Sequence, residues 1–232
     1  MVLRGLRFFT PRRVQTLVHI GTLLPLAMLI RDGLTDNLTI NPIQAITLRT
    51  GKTALVLLVL SLACTPINTL WGIRQVLRLR RPLGLYAFMY VSLHFLTFTV
   101  LDYRLEPSLL REAIFAKRFA LAGFAAFVIL IPLAVTSTKG WMKRLGKRWK
   151  QLHRGVYMAA ILAILHYVWL VKSDIREPLV YGAIVLLLLS LRLPPVRRAV
   201  KPLQRLRQLR RMHPASHEMQ AHAQPQQMTQ QI

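Results

Sequence analysis

Residues 147–170 read KRWKQLHRGVYMAAILAILHYVWL, and this stretch decides the fold. Its opening part holds Lys147, Arg148, Lys150 and Arg154 without an acid, and from Gly155 onward it is apolar on every side except at His166. A helix on a soluble domain keeps one polar face. A helix apolar all round and about 20 residues long matches the ~30 Å hydrocarbon core of a bilayer. A basic run leading into such a block marks the cytoplasmic end of a membrane span, because Lys and Arg collect in the loops that stay inside.

Working outward, six blocks of this kind stand out, at about Val14–Ile30, Thr53–Leu70, Gly84–Leu101, Phe119–Val135, Leu152–Val171 and Pro178–Leu193. The first is short, contains Pro25 and follows the basic residues Arg4, Arg7, Arg12 and Arg13, as in a signal peptide. It ends in Arg31-Asp32-Gly33 with no small-residue cleavage site, so it reads as a retained first helix. No internal repeat is evident.

The chain has 32 Lys and Arg against 8 Asp and Glu, a net charge of +24. Such a charge fits a nucleic-acid binder when it forms a surface patch. Here the cations fall between apolar blocks, and 53 % of the chain is hydrophobic, so the charge reads as topology and nucleic acid is excluded as a partner. The connection at 71–83 has Arg74, Arg78, Arg80 and Arg81 and no acid; that at 136–151 has Lys139, Lys143, Arg144, Lys147, Arg148 and Lys150 and no acid. The other three mix signs, with Asp32 and Asp36, with Asp102, Glu106 and Glu112, and with Asp174 and Glu177. The alternation places both termini and the second–third and fourth–fifth connections in the cytoplasm. The expected organisation is all-α: a basic N-terminus at 1–13, a bundle of about six transmembrane helices at 14–195, and a tail at 196–232 that is basic, then rich in Gln, His and Met. That tail, with His213, His217 and His222, has too little apolar content for a core and reads as solvated and disordered.

Ionisable groups inside spans are costly and are the functional candidates. His19, His94, His153 and His166 qualify, while no Asp or Glu sits centrally in any block, which argues against a proton- or cation-coupled transporter. The single Cys64 allows no internal disulfide and no multi-cysteine metal site, and reads as a small buried hydrophobe. With the third and fifth blocks both running outward, His94 and His166 reach similar depth in the outer half. Two facing neutral imidazoles supply both axial ligands of a b-type haem. His153 lies roughly 20 Å lower on the helix of His166, at the inner membrane edge. Of the remaining histidines only His19 matches that depth, so His19–His153 is the candidate inner pair. The competing reading, strongest for His19, has each histidine simply hydrogen-bonded to a neighbouring helix. Tyr86, Phe88, Tyr90, Phe95 and Phe98 crowd the helix of His94, as pocket lining or as packing. Trp141, Trp149, Tyr157, Tyr167, Trp169 and Tyr181 lie mostly near span ends, as an interfacial belt does. Arg81, Arg148 and Arg154 are placed to pair with haem propionates or lipid phosphates.

Several stretches together resemble the MsrQ (YedZ) family: Arg80-Arg81-Pro82-Leu83-Gly84-Leu85-Tyr86-Ala87-Phe88 with Leu93-His94; Thr50-Gly51-Lys52-Thr53-Ala54-Leu55; Thr65-Pro66; Thr136-Ser137; and above all Leu145 to Arg154 with Leu165-His166-Tyr167. The resemblance covers about residues 14–195 and extends to the membrane domain of ferric reductases and NADPH oxidases. It implies a haem b protein of the bacterial inner membrane, with one or two haems on His94, His153 and His166. It implies a periplasmic molybdopterin partner, MsrP-like, that reduces methionine sulfoxide in oxidised proteins. It implies electrons from the quinone pool, FMN as an associated cofactor and a cytosolic flavin reductase as a further donor. The third helix has one histidine where NADPH oxidases have two, and no flavin or nicotinamide fingerprint is visible. Electron transfer is therefore expected rather than catalysis by the chain itself. Two rivals are a stand-alone transmembrane ferric or metal reductase, and a cofactor-free transporter or scaffold.

Overall fold

The computed structural model describes residues 11–171 and 174–193. Most of the basic N-terminal segment and nearly all of the C-terminal segment from 194, including the three tail histidines, lie outside the described residues. Among the described residues every regular element is helical: α1 (Pro11–Leu34), α2 (Pro42–Trp71), a 3-10 turn (Arg74–Arg78), α3 (Arg80–Leu96) running into a π-helical turn (Thr97–Asp102), α4 (Pro107–Ala116), α5 (Arg118–Val135), α6 (Lys139–Leu145), α7 (Lys147–Leu152), α8 (Gly155–Leu170) and α9 (Arg176–Ser190). The protein is an all-α membrane helix bundle.

Among the described residues four helical stretches are long and apolar enough to cross a membrane: Arg13–Leu34, Pro42–Trp71, Arg80–Asp102 and Arg118–Val135. The fifth and sixth blocks form α8 and α9, apolar helices of 16 and 15 residues, shorter than the usual span of about 20. The chain turns at His153-Arg154 before α8 begins, which takes the inner end of the predicted fifth block out of its helix. Two connections expected as loops also form helices. Pro107 opens α4, where its missing N–H and fixed φ suit the first turn. Thr138 caps α6 by accepting from the Trp141 amide.

The helix α2 is the central rod. Asn41 caps it by accepting from the Gln44 amide at 3.1 Å, Pro42 starts it, and Gly72 ends it in the left-handed region at φ 72°. Its inward face (Ala54, Leu55, Leu57, Leu58, Leu62, Cys64) forms a core with Leu83, Ala87 and Tyr90 of α3, Ala160 of α8, and Val185 and Leu188 of α9. The dominant helix pairs are α2 with α3 and α5 with α8.

Side chains from elsewhere enter two helices beside their internal prolines. Pro66 has no N–H, so the Leu62 carbonyl loses its helical donor. The Arg192 guanidinium, just past α9, donates to that carbonyl, also donates to the Tyr157 hydroxyl at 2.7 Å, and sits over the Tyr157 ring. Beside Pro25 the ladder of α1 is opened, and the buried Tyr90 hydroxyl is inserted in it, donating to the Thr22 carbonyl at 2.7 Å and accepting from the Leu26 amide at 3.0 Å. The carbonyl that Pro25 itself leaves without a helical donor is that of Gly21; Tyr90 bonds the neighbouring rung, Leu26 to Thr22.

The two acid-free connections meet at one end of the bundle, where Leu77, Arg80 and Arg81 share a cavity wall with Met142, Trp149 and His153. The mixed-sign connections supply the ion pairs Arg49–Asp32 and Lys52–Glu177, away from that cavity.

Candidate functional site

The helix α3 carries His94 and α8 carries His166, and their rings stand 6.1 Å apart centre to centre with planes at 86°. Each ring is fixed by a neighbouring backbone. His94 Nδ1 is 2.8 Å from the Thr47 carbonyl of α2, and His166 Nδ1 is 2.7 Å from the Phe119 carbonyl of α5. A carbonyl only accepts, so each Nδ1 carries the proton and each neutral imidazole presents its Nε2 lone pair. Among the described residues neither Nε2 has a hydrogen-bond partner. Fixing the second nitrogen in this way is the usual outer support of a metal-ligating histidine.

One helical turn past each carbonyl lies a glycine that the ring packs against. A Cβ on Gly51 would stand 2.9 Å from His94 Nδ1, and a Cβ on Gly123 would stand 2.6 Å from His166 Nδ1. The interval from carbonyl residue to histidine is 47 in both halves. The bundle therefore contains a repeated device that the linear sequence did not show. Its trace there is a glycine followed at one fixed distance by a histidine, twice.

Phe88, Phe95, Phe124 and Phe127 pack on one another between α3 and α5, with Phe95 and Phe127 stacked at 4.7 Å, and the Phe119 ring stands 6.1 Å from that of His166. Phe98 packs instead on Tyr103. Tyr90 serves the core and α1, as described above.

The donor set fits haem. No group of three or more His, Cys, Asp or Glu among the described residues is arranged to hold a bare metal ion. A pair of unprotonated imidazole nitrogens suits a metal that brings its own equatorial ligands. Two imidazoles on one metal, at bonds of about 2 Å, place ring centres roughly 6 Å apart, which is the observed spacing of this pair.

His153 is held differently. Its Nε2 lies 3.1 Å from Thr136 Oγ1, and the same hydroxyl lies 2.6 Å from the Pro132 carbonyl. The Thr136 proton goes to the carbonyl, so His153 donates through Nε2. Trp149 stacks on the His153 ring at 4.0 Å and donates its Nε1–H to the Thr136 carbonyl at 2.9 Å. Thr136 is thus the knot that ties the end of α5 to α7, and Trp149 is part of it rather than only an interfacial anchor. His153, Trp149, Arg80, Arg81, Phe88 and Met142 line a cavity of about 240 Å³. His19, on the exposed side of α1, is bonded through Nδ1 to the Tyr86 hydroxyl at 2.9 Å and does not line the His153 cavity. Arg81 reaches the cavity wall, while Arg148 and Arg154 are exposed. The structure thus brings His94 to His166, sets His153 and Arg81 on the lining of one cavity, and leaves His19 apart.

Residues 50–164 match the family described as ferric reductase like transmembrane component. A protein-methionine-sulfoxide reductase heme-binding subunit MsrQ from Xanthomonas euvesicatoria is 45% identical over 184 residues, covering 77% of this chain and 84% of that protein. The MsrQ subunit of Herminiimonas arsenicoxydans is 45% identical over 182 residues, covering 77% and 84%. That of Bordetella pertussis is 43% identical over 182 residues, covering 78% and 88%. No solved structure matches the chain. With the paired imidazoles, their backbone supports and this degree of identity over most of both chains, the protein belongs to the MsrQ family of heme-binding subunits.

Proposed function

We propose that this chain is a haem b electron-transfer subunit of the bacterial inner membrane that feeds a periplasmic methionine sulfoxide reductase. The observation that carries the reading is the His94–His166 pair, with both Nδ1 atoms tied to carbonyls and both Nε2 atoms free of hydrogen bonds. Haem, when bound there, supplies the one-electron couple that the side chains lack. The chain's own residues do the rest. The Thr47 and Phe119 carbonyls fix the tautomers, and the Phe119 ring packs against His166; hydrogen bonding to the ligands and an apolar setting tune the potential.

Both termini and the acid-free end, with Arg80, Arg81 and His153, face the cytoplasm in this reading, and α1, α2, α3, α5, α8 and α9 are the six spans. The outer end, near His94 and His166, faces the periplasm and a molybdopterin partner of MsrP type. Reducing methionine sulfoxide consumes two electrons and two protons and releases methionine and water, and oxidising one quinol releases two electrons and two protons. The inner cavity, with its arginines and the stacked His153–Trp149 pair, suits the entry of electrons from the quinone pool or from reduced FMN supplied by a cytosolic flavin reductase. One haem at the outer pair is the favoured count, because His153 spends Nε2 on Thr136 and His19 lies on another face. A second haem would require that bond to be exchanged. Arg148 and Arg154, exposed at the inner end, suit lipid phosphates.

The test is the absorption spectrum of the detergent-purified protein, oxidised and dithionite-reduced, beside His94→Ala and His166→Ala. Sharp reduced α and Soret bands, lost in either variant, are expected. A folded wild type without them overturns the reading. The match to ferric reductases favours one alternative, a stand-alone metal reductase. Co-purification with a periplasmic molybdoenzyme decides between the two.

A further inference from the structure

We infer that Gly51 and Gly123 are positioning residues for the haem-ligating histidines, acting as matched seats that set where each imidazole stands. The inference rests on the haem reading above and goes beyond it to residues that never touch the iron. Each ring is caught between two constraints on one neighbouring helix. A carbonyl (Thr47 or Phe119) holds Nδ1, and one turn on, the bare Cα of a glycine receives the ring. An alanine Cβ at position 51 would lie 2.9 Å from Nδ1 and 3.0 Å from Cε1 of His94. At position 123 it would lie 2.6 Å from Nδ1, 3.0 Å from Cε1 and 3.1 Å from Cγ of His166. These separations are below van der Waals contact, so the ring must move, and moving it breaks the hydrogen bond that fixes its tautomer. The contact involves the ring and its Cγ, not the far end of a flexible chain, so there is little slack.

The recurrence separates a seat from ordinary close packing. The same interval of 47 residues and the same one-turn offset occur in α2–α3 and in α5–α8. Other glycines in the spans lack such a neighbour: Gly21 on α1 has nothing within 4 Å of a Cβ, and Gly182 on α9 meets only an isoleucine methyl at 3.3 Å. In a helix, glycine is less favourable than alanine. A glycine there for packing alone, with space to spare, would gain stability on change to alanine.

The experiment uses the full chain in detergent with Gly51→Ala, Gly123→Ala and the control Gly21→Ala. Three signals are read: the reduced spectrum, the low-spin electron paramagnetic resonance signal, and carbon monoxide binding to the reduced protein. Gly123→Ala should show a broadened or shifted low-spin signal and a several-fold larger fraction that binds carbon monoxide, since a displaced ligand opens the sixth position. Gly51→Ala should do the same more weakly, and Gly21→Ala should match wild type. Unchanged spectra in both seat variants overturn the inference while leaving the haem reading intact. A double-mutant cycle on thermal unfolding covers poor haem loading. Gly123→Ala should lower the melting temperature when His166 is present and leave or raise it in His166→Ala. If its effect is the same in both backgrounds, glycine and ring are not coupled and the inference fails. A wild type with no haem spectrum at all overturns this inference together with the reading beneath it.

Discussion

At the scale of single residues, three histidines of one chain are set in two tautomers by their acceptors. His94 and His166 face carbonyls through Nδ1, and His153 faces a hydroxyl through Nε2. Thr136 is the residue on which the second case turns. Thr136→Val removes the acceptor of His153 and the side-chain donor to the Pro132 carbonyl, which keeps the Thr136 amide, so the cost of about 1–3 kcal/mol falls mainly on the unsatisfied His153 N–H. Thermal or denaturant unfolding in detergent should show this loss, and Thr136→Ser should recover most of it. The sequence singled out His19, His94, His153 and His166, because hydrocarbon makes an imidazole expensive; the structure sets His19, His94 and His166 on helices α1, α3 and α8 and His153 in the turn before α8. The partners of the rings were not legible in the sequence. Thr47, Phe119 and Thr136 act through backbone or hydroxyl groups on other helices, and a carbonyl leaves no mark on residue identity.

At the scale of elements, α1 is held by an unusual joint. The Tyr90 hydroxyl stands in the ladder of α1 between Thr22 and Leu26, next to Pro25, while much of the rest of α1 is exposed. Tyr90→Phe should loosen α1 alone: amide exchange over residues 18–29 rises, while α2 and α8 keep their protection and the haem spectrum is unchanged. Equal loss throughout the chain would show that the joint supports the whole bundle instead. Hydropathy marked the apolar blocks well, because a helix apolar all round has few other homes than a bilayer. It missed α4, α6 and α7, which are short and owe their starts to Pro107, Thr138 and the turn at Gly146 rather than to an apolar run. It set the fifth block too early, since His153 and Arg154 precede α8.

At the scale of the whole molecule, charge alternation and geometry agree that the two acid-free connections share one end. Cys64 is 2% exposed, so a cysteine placed elsewhere can be labelled on a quiet background. An impermeant maleimide should label Ser108→Cys in cells with permeabilised outer membranes, and Lys143→Cys only after the inner membrane is breached. The reverse pattern would invert the proposed orientation. The doubled seat escaped the sequence reading because only two positions in each half are shared, too few to register as a repeat until the helices are packed. The link from Arg192 to the Leu62 carbonyl spans 130 residues. At ribosomal speeds of roughly 5–20 residues per second, the carbonyl freed by Pro66 is made on the order of ten seconds before the arginine that satisfies it. The nascent chain thus carries an open acceptor in its second helix through most of its own synthesis. The bundle is latched by almost the last described residue to leave the ribosome, so a chain cut short before it has its helices without their clasp.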